Sequence, residues 1–391
     1  MISREELRQL ASFESRRPDE LAISFYFEPS TPQDKSHREE GILAKDLVRR
    51  TIQELQVSGR FRSGIADLER ILDLAERLHG NQARGKVVFA CSASGIWHEF
   101  DVPAGIAATK LYVNQRFHLK PLVPVFSEYP RLWVALVDRQ RARFLEIQFE
   151  HFHEHGAITN SLPRHGRSDG YSGYDAGRSE RHEENDSRRH YQTVCETLKN
   201  GAEKKHYEAL VIGCHDVNWP EMQSQLHPYV QKKLLGRFSA DLNTLTDVQA
   251  KQEADRVVRE SLQRHHENLI REAVEGAKSN GLGVTGLRRV LRATEMGEVE
   301  TLLMTDDYSA RAVECTACGH IDSHMVPYCP LCGRATRQLE DVCEALVPAA
   351  IKNNIGLVLV PRQAALDRVG NIAAVLRFRA DRNTNQLLAA S

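Results

Sequence analysis

The chain has 391 residues, of which 41% are hydrophobic and 27% charged, and its 52 Lys and Arg are balanced by 53 Asp and Glu. This composition is typical of a globular protein of two or three domains, and the balanced charge excludes a simple polycationic nucleic-acid binder. No apolar run reaches the roughly 20 residues of a membrane-spanning helix, and the charged N-terminus is unlike a signal peptide or a lipid anchor, so we expect no membrane partner and a cytoplasmic protein.

Residues 1–128 predict an N-terminal domain in which helices and strands are mixed. Apolar spacing of three and four residues predicts helices, and short apolar runs bounded by proline predict strands. The predicted elements are a helix over 3–14, a strand over Leu21–Phe27, helices over 37–57 and 65–79, and strands over Lys86–Cys91 and Ile96–Val102. A passage rich in proline ends at Pro130, and we place the domain boundary there.

Residues 129–279 predict a middle α/β domain with a glycine-rich loop over 162–180. The loop has four glycines and almost no aliphatic side chain, which is typical of a long surface loop. The predicted elements are strands over Leu132–Val137 and Ala142–Phe149, a helix from Glu180, a strand over Glu208–Gly213 and a helix over Thr246–Lys278.

Residues 280–391 predict a C-terminal α/β domain in which helices and strands alternate. The predicted elements are a helix over Leu287–Arg292, a strand over Val299–Met304, a helix over Leu339–Asn353, and strands over Ile355–Val360 and Ala373–Phe378. A cysteine knuckle over 312–335 is inserted after the Val299–Met304 strand. The sequence therefore predicts a three-domain protein of the α/β (α+β) class with a zinc-ribbon-like insertion.

Two Cys-x-x-Cys-Gly turns supply the strongest chemical signal, with Cys315 and Cys318 in the first and Cys329 and Cys332 in the second. Four thiolates on two tight turns form the closed tetrahedral shell that structural zinc prefers, so we predict one structural Zn²⁺ ion. The alternatives are two disulfides or a redox pair. Four further cysteines are scattered in apolar contexts and are interpreted as reduced core residues: Cys91, Cys195, Cys214 and Cys343.

The glycine-rich loop is a candidate RNA-binding segment. Its glycines allow backbone conformations closed to other residues, its aromatic rings can stack on bases, and its arginines can contact phosphates. The candidate residues are Arg164, His165, Gly166, Arg167, Ser168, Asp169, Gly170, Tyr171, Gly173 and Tyr174. Over 163–190 the six arginines are balanced by six acidic residues, so a solvated loop without special function is the alternative.

Two weaker patterns have structural alternatives. His151, His153 and His155 would share one face of a strand, where they would bind a metal or mark an exposed edge strand. Cys214 and His215 follow a predicted strand and would form a nucleophilic dyad only if their side chains met, although neighbours at a strand end usually point apart.

Several segments together resemble the bacterial branch of the archaeo-eukaryotic class-1 release factor and Pelota superfamily. Arg164–Ser172 precedes a charged helix, as the catalytic loop of release factors does, and Glu298–Met304 leads into the cysteine insertion. Ser24–Pro29 and Phe117–Leu122 are similar to N-terminal motifs of the bacterial members. The resemblance implies a cytoplasmic, RNA-binding protein that occupies the ribosomal A site between 16S and 23S rRNA.

The same resemblance implies a role for each domain. The N-terminal domain would face the decoding centre, the loop would reach towards the peptidyl transferase centre, and the C-terminal domain would meet the stalk base or a translational GTPase such as elongation factor Tu. Release factors of this superfamily have Gly-Gly-Gln at the loop tip. This chain has Ser168, Asp169 and Gly170 there and no Gly-Gly dipeptide anywhere, so we expect no peptidyl-tRNA hydrolysis and hence no enzyme.

The function expected from these features is that of a monomeric A-site blocker acting in ribosome hibernation and translation regulation under stress, with no role on DNA. Two alternatives remain open. One is a rescue factor that hydrolyses peptidyl-tRNA through the loop, and the other is a Pelota-like factor that recruits a GTPase and splits stalled ribosomes.

Overall fold

The computed structural model of the protein describes residues 2–15, 17, 20–29, 39–58, 62–78, 84–127, 131–148, 151–159 and 176–380. These residues divide into two compact units. Unit 1 combines Met1–Ser127 with His266–Ser391, and unit 2 is Glu128–His265. The division into three domains with boundaries after residues 128 and 279 stays a prediction.

The N-terminal part of unit 1 is a four-stranded antiparallel sheet with helices on one face. Its elements are α1 (Arg4–Ser12), β1 (Ala22–Phe27), α2 (Glu39–Ser58), α3 (Arg62–Ala75), β2 (Arg84–Cys91), β3 (Ile96–Pro103), β4 (Lys110–Asn114) and α4 (Val123–Ser127). The strand order is β3-β2-β1-β4. Ser3 and Glu6 form a capping box that starts α1, because each side chain accepts a hydrogen bond from the other residue's amide.

Both faces of β1 are buried, and successive residues alternate between them. Phe25 and Phe27 pack with Val48 of α2 and Leu68 of α3 in the core between sheet and helices. Tyr26 lies on the opposite face, where its hydroxyl donates a hydrogen bond to the carbonyl of His118.

Unit 2 is built around a mixed five-stranded sheet. Its elements are β5 (Leu132–Val137), β6 (Arg141–Gln148), β7 (His151–Thr159), α5 (Ala176–Glu203), β8 (Ala209–Cys214), α6 (Trp219–Gln225), α7 (Pro228–Gln231), β9 (Leu234–Phe238) and the part of α8 (Asp247–Lys278) up to residue 265. The strand order is β7-β6-β5-β8-β9. Strands β5, β8 and β9 are parallel, and β6 and β7 extend the sheet in antiparallel fashion.

Helices cover both faces of this sheet. Trp133, Ile212 and Tyr207 pack with Tyr191 and Leu198 of α5 on one face. Val134 and Phe238 pack with Ala254 of α8 on the other face. All six residues of β5 and of β8 are buried, which explains why both strands are continuous apolar runs instead of alternating ones.

The C-terminal part of unit 1 contains two sheets. Its elements are β10 (Gly283–Thr285), α9 (Leu287–Glu295), β11 (Val299–Thr305), β12 (Ala312–Cys315), β13 (Ile321–Asp322), β14 (Thr336–Leu339), α10 (Cys343–Lys352), β15 (Gly356–Val360), α11 (Ala364–Asp367) and β16 (Ile372–Leu376). The larger sheet has the order β10-β16-β11-β15 and the smaller one β13-β12-β14. Ile270 and Ala273 of α8 pack on the larger sheet with Leu303 and Val360.

Most of the elements predicted from periodicity are confirmed, with shifts at their ends. The helix predicted over Leu339–Asn353 is wrong at its start, because residues up to Leu339 pair in β14 and the helix begins at Cys343. The helix predicted from Glu180 begins four residues earlier, at Ala176. Strands β4, β9 and β10 were not predicted, because they are short and have no strong alternation.

Candidate metal centre

Two similar turns on a small three-stranded sheet bring the four predicted ligands together. Cys315 ends β12, the central strand, and Cys318 follows it in the first turn. Cys329 and Cys332 lie in the second turn, between β13 and β14. The backbone amide of Cys315 donates to the carbonyl of His320 at 2.8 Å, and that of Cys329 donates to the carbonyl of Arg334 at 2.8 Å, so both turns are closed in the same way.

A glycine in the left-handed conformation ends each turn. Gly319 and Gly333 have φ angles of 72° and 71°, which residues with a side chain rarely adopt. Their amides donate to the carbonyls of Cys315 and Cys329 at 3.1 and 2.9 Å. The Cys-x-x-Cys-Gly pattern thus folds the chain back at the point where the two sulfurs of each turn must face one centre.

The spacing of the sulfur atoms fits a tetrahedral metal site. The Sγ–Sγ distances are 3.4 Å between Cys315 and Cys332, 3.7 Å between Cys318 and Cys329, and 3.5 Å between Cys318 and Cys332. All four sulfurs lie within 4.8 Å of one another. Metal–sulfur bonds of about 2.3 Å in a tetrahedron place sulfurs about 3.8 Å apart, so the four thiols can hold one ion.

The same distances argue against two disulfides, whose sulfurs would be about 2.05 Å apart. All four cysteines are free thiols in the structure. The amides of Cys318 and Ala317 donate hydrogen bonds to the sulfur of Cys315, at 3.5 and 3.4 Å, and lower the pKa of this thiol to about 6. The lowered pKa favours the thiolate at Cys315, which is the form that binds metal ions, whereas contact with the sulfur of Cys315 helps to raise the pKa of Cys318.

The neighbouring histidines do not join the cluster. The ring of His320 contacts the carboxylate of Glu295 at 2.8 Å, and that of His324 contacts Asp322 at 3.0 Å. Within the part of the chain that the structure describes, the four cysteines are the group whose ligand atoms can meet at a metal ion. His320 and His324 therefore flank the cluster and are not part of it.

An ion-pair network that the sequence did not predict fixes the base of the knuckle. Glu314, next to Cys315 in β12, is 3% exposed and accepts hydrogen bonds from Arg116 at 2.9 and 2.7 Å. It also accepts two from Arg337 of β14, at 3.0 and 2.7 Å. Glu14 contacts the same two guanidinium groups, at 2.8 and 2.7 Å. The first cysteine turn is thus tied to the N-terminal part of unit 1.

The ten residues predicted to bind RNA lie outside the described residues. They are Arg164, His165, Gly166, Arg167, Ser168, Asp169, Gly170, Tyr171, Gly173 and Tyr174. Their role stays a prediction. The described chain resumes with α5, which begins at Ala176.

The histidine pattern lies on an edge strand, as its structural interpretation predicted. Strand β7 is at the end of the sheet of unit 2. The ring of His155 lies 4.8 Å from that of Trp133 and 5.8 Å from that of His206. His153 is exposed, and it forms no metal-binding group with other described residues. Among the described side chains, His153 and His155 therefore give no support to the metal alternative.

Cys214 and His215 do not form a catalytic dyad. Cys214 is fully buried at the end of β8, and burial raises the pKa of its thiol to about 11, so the nucleophilic thiolate is disfavoured. The exposed His215 instead accepts a hydrogen bond from the amide of Val217. The other scattered cysteines, Cys91, Cys195 and Cys343, are also buried, which confirms them as core residues.

No helix among the described residues is long and apolar enough to cross a membrane.

Comparison with known proteins relates the chain to translation termination factors. Residues 118–257 match the family described as bacterial archaeo-eukaryotic release factor family 10. Peptide chain release factor subunit 1 of Thermococcus onnurineus is 23% identical over 316 residues, which are 71% of this chain and 74% of that protein. The protein of the same name from Archaeoglobus fulgidus is 24% identical over 351 residues, which are 81% and 84% of the two chains.

By these matches the chain is similar to archaeal peptide chain release factors. Two solved structures also match most of the chain. An archaeal translation termination factor matches over 96% of this chain and 99% of its own, with 17% identity and a TM-score of 0.24. Archaeoglobus fulgidus Pelota matches over 76% and 80%, with 14% identity and a TM-score of 0.33.

Proposed function

We propose that the protein binds the ribosome and occupies the A site without hydrolysing peptidyl-tRNA, as a hibernation factor that inhibits translation under stress. The observation that carries the proposal is the match of residues 118–257 to a release factor family in a chain that contains no Gly-Gly dipeptide. The relatives in the comparison are named peptide chain release factors, which act on ribosomes. The site of action is then the cytoplasm, and the partners are the 16S and 23S rRNA of the A site.

Loss of Gly-Gly-Gln removes the chemistry of release but not the ability to dock. In the release factors that the chain resembles, the two glycines let the backbone enter the peptidyl transferase centre, and the glutamine positions water. Ser168, Asp169 and Gly170 stand at those positions in this chain. A carboxylate facing the phosphates of rRNA is repelled, which disfavours Asp169 as a replacement for the glutamine. Blocking of tRNA entry requires docking alone. The sequence's resemblance to the bacterial hibernation factor Balon supports this function.

We propose that the metal is one Zn²⁺ ion held by Cys315, Cys318, Cys329 and Cys332. The four-thiol donor set and the sulfur spacing suit a tetrahedral ion of this kind. Zinc would supply four metal–sulfur bonds that cross-link the two turns, and with four protein ligands it has no open position for a substrate. The role is therefore structural: the four thiolates hold the knuckle in the form that docks, beside a translational GTPase such as elongation factor Tu or the stalk base.

The proposal is tested by pelleting the purified protein, as a monomer, with vacant 70S ribosomes and with ribosomes that carry peptidyl-tRNA. Expected are stoichiometric binding to vacant ribosomes and no release of peptide. Release of peptide that disappears in Asp169→Ala would instead assign a hydrolase. Dissociation of the ribosomes into subunits after addition of a GTPase and GTP would assign a Pelota-like splitting factor. Elemental analysis of the same preparation tests the metal, with one zinc per chain expected.

A further inference from the structure

A cavity of about 430 Å³ lies in the C-terminal part of unit 1, apart from the cysteine cluster. It is bounded by α9, the edge strand β10 and the end of β16. Its floor is apolar and includes the buried residues Val284, Ala293 and Leu376. Its polar lining is dominated by three arginines, Arg289, Arg292 and Arg379. A concave site with an apolar floor and a few charged groups is the usual form of a ligand site.

The charge of this lining is positive and largely unneutralised. One acidic residue, Glu298, lines the cavity, and its carboxylate accepts a hydrogen bond from the amide of Ala380 at 2.8 Å. Arg289 and Arg292 are exposed on α9, and their guanidinium groups make no hydrogen bond or ion pair with any residue that the structure describes. In a chain of net charge −1, such free guanidinium groups on one helix face form a local anion-attracting surface.

Arg379 differs from the other two arginines, because the protein holds it in place. Its guanidinium donates to the side-chain oxygen of Asn280 and, at 2.9 Å, to the carbonyl of Gly283. Its third nitrogen, Nε, is buried and has no hydrogen-bond partner among the described residues. A buried donor without a partner carries a free-energy cost that an acceptor on a bound ligand would remove.

The chemistry of the lining indicates a ligand that combines phosphate with a flat apolar group. Guanidinium groups bind phosphate oxygens through two parallel hydrogen bonds, which ammonium groups cannot do. Unstacked bases of single-stranded RNA pack on apolar side chains and on guanidinium planes. A carboxylate-bearing peptide is the competing ligand for the arginines, and it is one of the outcomes that the test separates from RNA.

We propose that this cavity binds a nucleotide of single-stranded RNA, with the backbone phosphates on Arg289 and Arg292 and the base on the apolar floor. The choice of RNA rests on the proposed function, which brings the chain to the ribosome. The test itself needs no ribosome. Failure of A-site docking would therefore leave its result intact, and failure of this cavity to bind RNA would leave docking intact.

The test measures binding of the full chain to a fluorescently labelled single-stranded oligouridylate by anisotropy as a function of salt. Each phosphate contact on a single strand contributes about 0.7 to the slope of log K against log salt. The R289A/R292A variant should therefore lower the slope by about 1.4. Between about 50 and 200 mM salt the wild-type protein should then lose about sevenfold more affinity than the variant.

The matched control is R288A, which removes one positive charge, half that of the double variant, from the same helix outside the cavity lining. Its slope should stay that of the wild type. R289K/R292K keeps the charge and loses the paired hydrogen bonds, and we expect it to bind more weakly than wild type. Because all three positions are exposed, the variants should fold, which thermal unfolding checks.

Three results would overturn the proposal. The first is a salt slope in R289A/R292A that equals that of the wild type. The second is a decrease of the slope in R288A that is half the decrease in the double variant, which would mean unspecific attraction. The third is displacement of the oligonucleotide by inorganic phosphate or by polyglutamate at equal charge concentration. Displacement by phosphate would assign a free-anion site, and displacement by polyglutamate would assign an acidic peptide.

Discussion

Replacement of Glu314 by glutamine should destabilise the base of the cysteine knuckle far more than the same change at Glu14. Both carboxylates contact Arg116 and Arg337, at distances between 2.7 and 3.0 Å. They differ in exposure, because the side chain of Glu314 is 4% exposed and that of Glu14 is 37% exposed. The pair of variants therefore separates the effect of burial from the effect of contact.

The expected magnitudes follow from this difference. Removal of one partner from a buried ion pair leaves an uncompensated charge and costs about 3–5 kcal/mol. In E314Q, Glu14 still faces both arginines, so we expect the lower end, about 3 kcal/mol. An exposed ion pair contributes about 1 kcal/mol or less, and E14Q should cost no more than that. In E14Q/E314Q the arginines lose both carboxylates, so the double variant should cost more than the sum of the two.

Hydrogen exchange measured by mass spectrometry can resolve these costs locally. A loss of about 3 kcal/mol corresponds to about 150-fold faster exchange in peptides that cover β12 and β14. Peptides that cover β5 lie in unit 2 and serve as the internal reference. Exchange in E314Q no faster than in E14Q would refute the assignment of Glu314 as the buried centre of the network.

Two further predictions concern a buried histidine and the metal ligands. His118 packs on Tyr112 with ring centroids 3.8 Å apart, and burial lowers the pKa of His118 to about 4. Between about pH 6.5 and 4 the unfolded chain therefore binds more protons than the folded one. The free energy of unfolding should fall by about 3 kcal/mol as the pH drops through that window. Urea unfolding at both ends of the window should show this loss in wild type, and an equal loss in His118→Gln would contradict it. Replacement of Cys315 and Cys329 by serine should release the metal and weaken ribosome pelleting, while the amides of β5 and β8 keep their protection from hydrogen exchange. Retention of the metal would contradict the four-cysteine assignment.

The parts of the structure that the sequence predicted are those set by local pattern. The four cysteines could be predicted as one cluster of candidate metal ligands, because the conformation of each Cys-x-x-Cys-Gly turn is determined within five residues. Strands β5 and β8 could be predicted because both are continuous apolar runs. In each case, nearby residues determine the conformation, so spacing alone carries the information.

The parts that the sequence did not predict depend on contacts between distant segments. Arg116 and Glu314 are 198 residues apart, and nothing in either local sequence indicates that they meet. A glutamate beside a metal-ligating cysteine on a short strand was the available hint, although a charged residue there usually faces solvent. The cavity of Arg289, Arg292 and Arg379 was missed for the same reason, since α9 and the end of β16 meet only in the fold.

The ribosome-pelleting experiment with a parallel assay of peptide release distinguishes an A-site blocker from a release factor. We expect stoichiometric binding of the wild-type protein to vacant 70S ribosomes, competition with A-site tRNA, and no peptide released from ribosomes that carry peptidyl-tRNA. Absence of binding, or release that depends on Asp169, would contradict it.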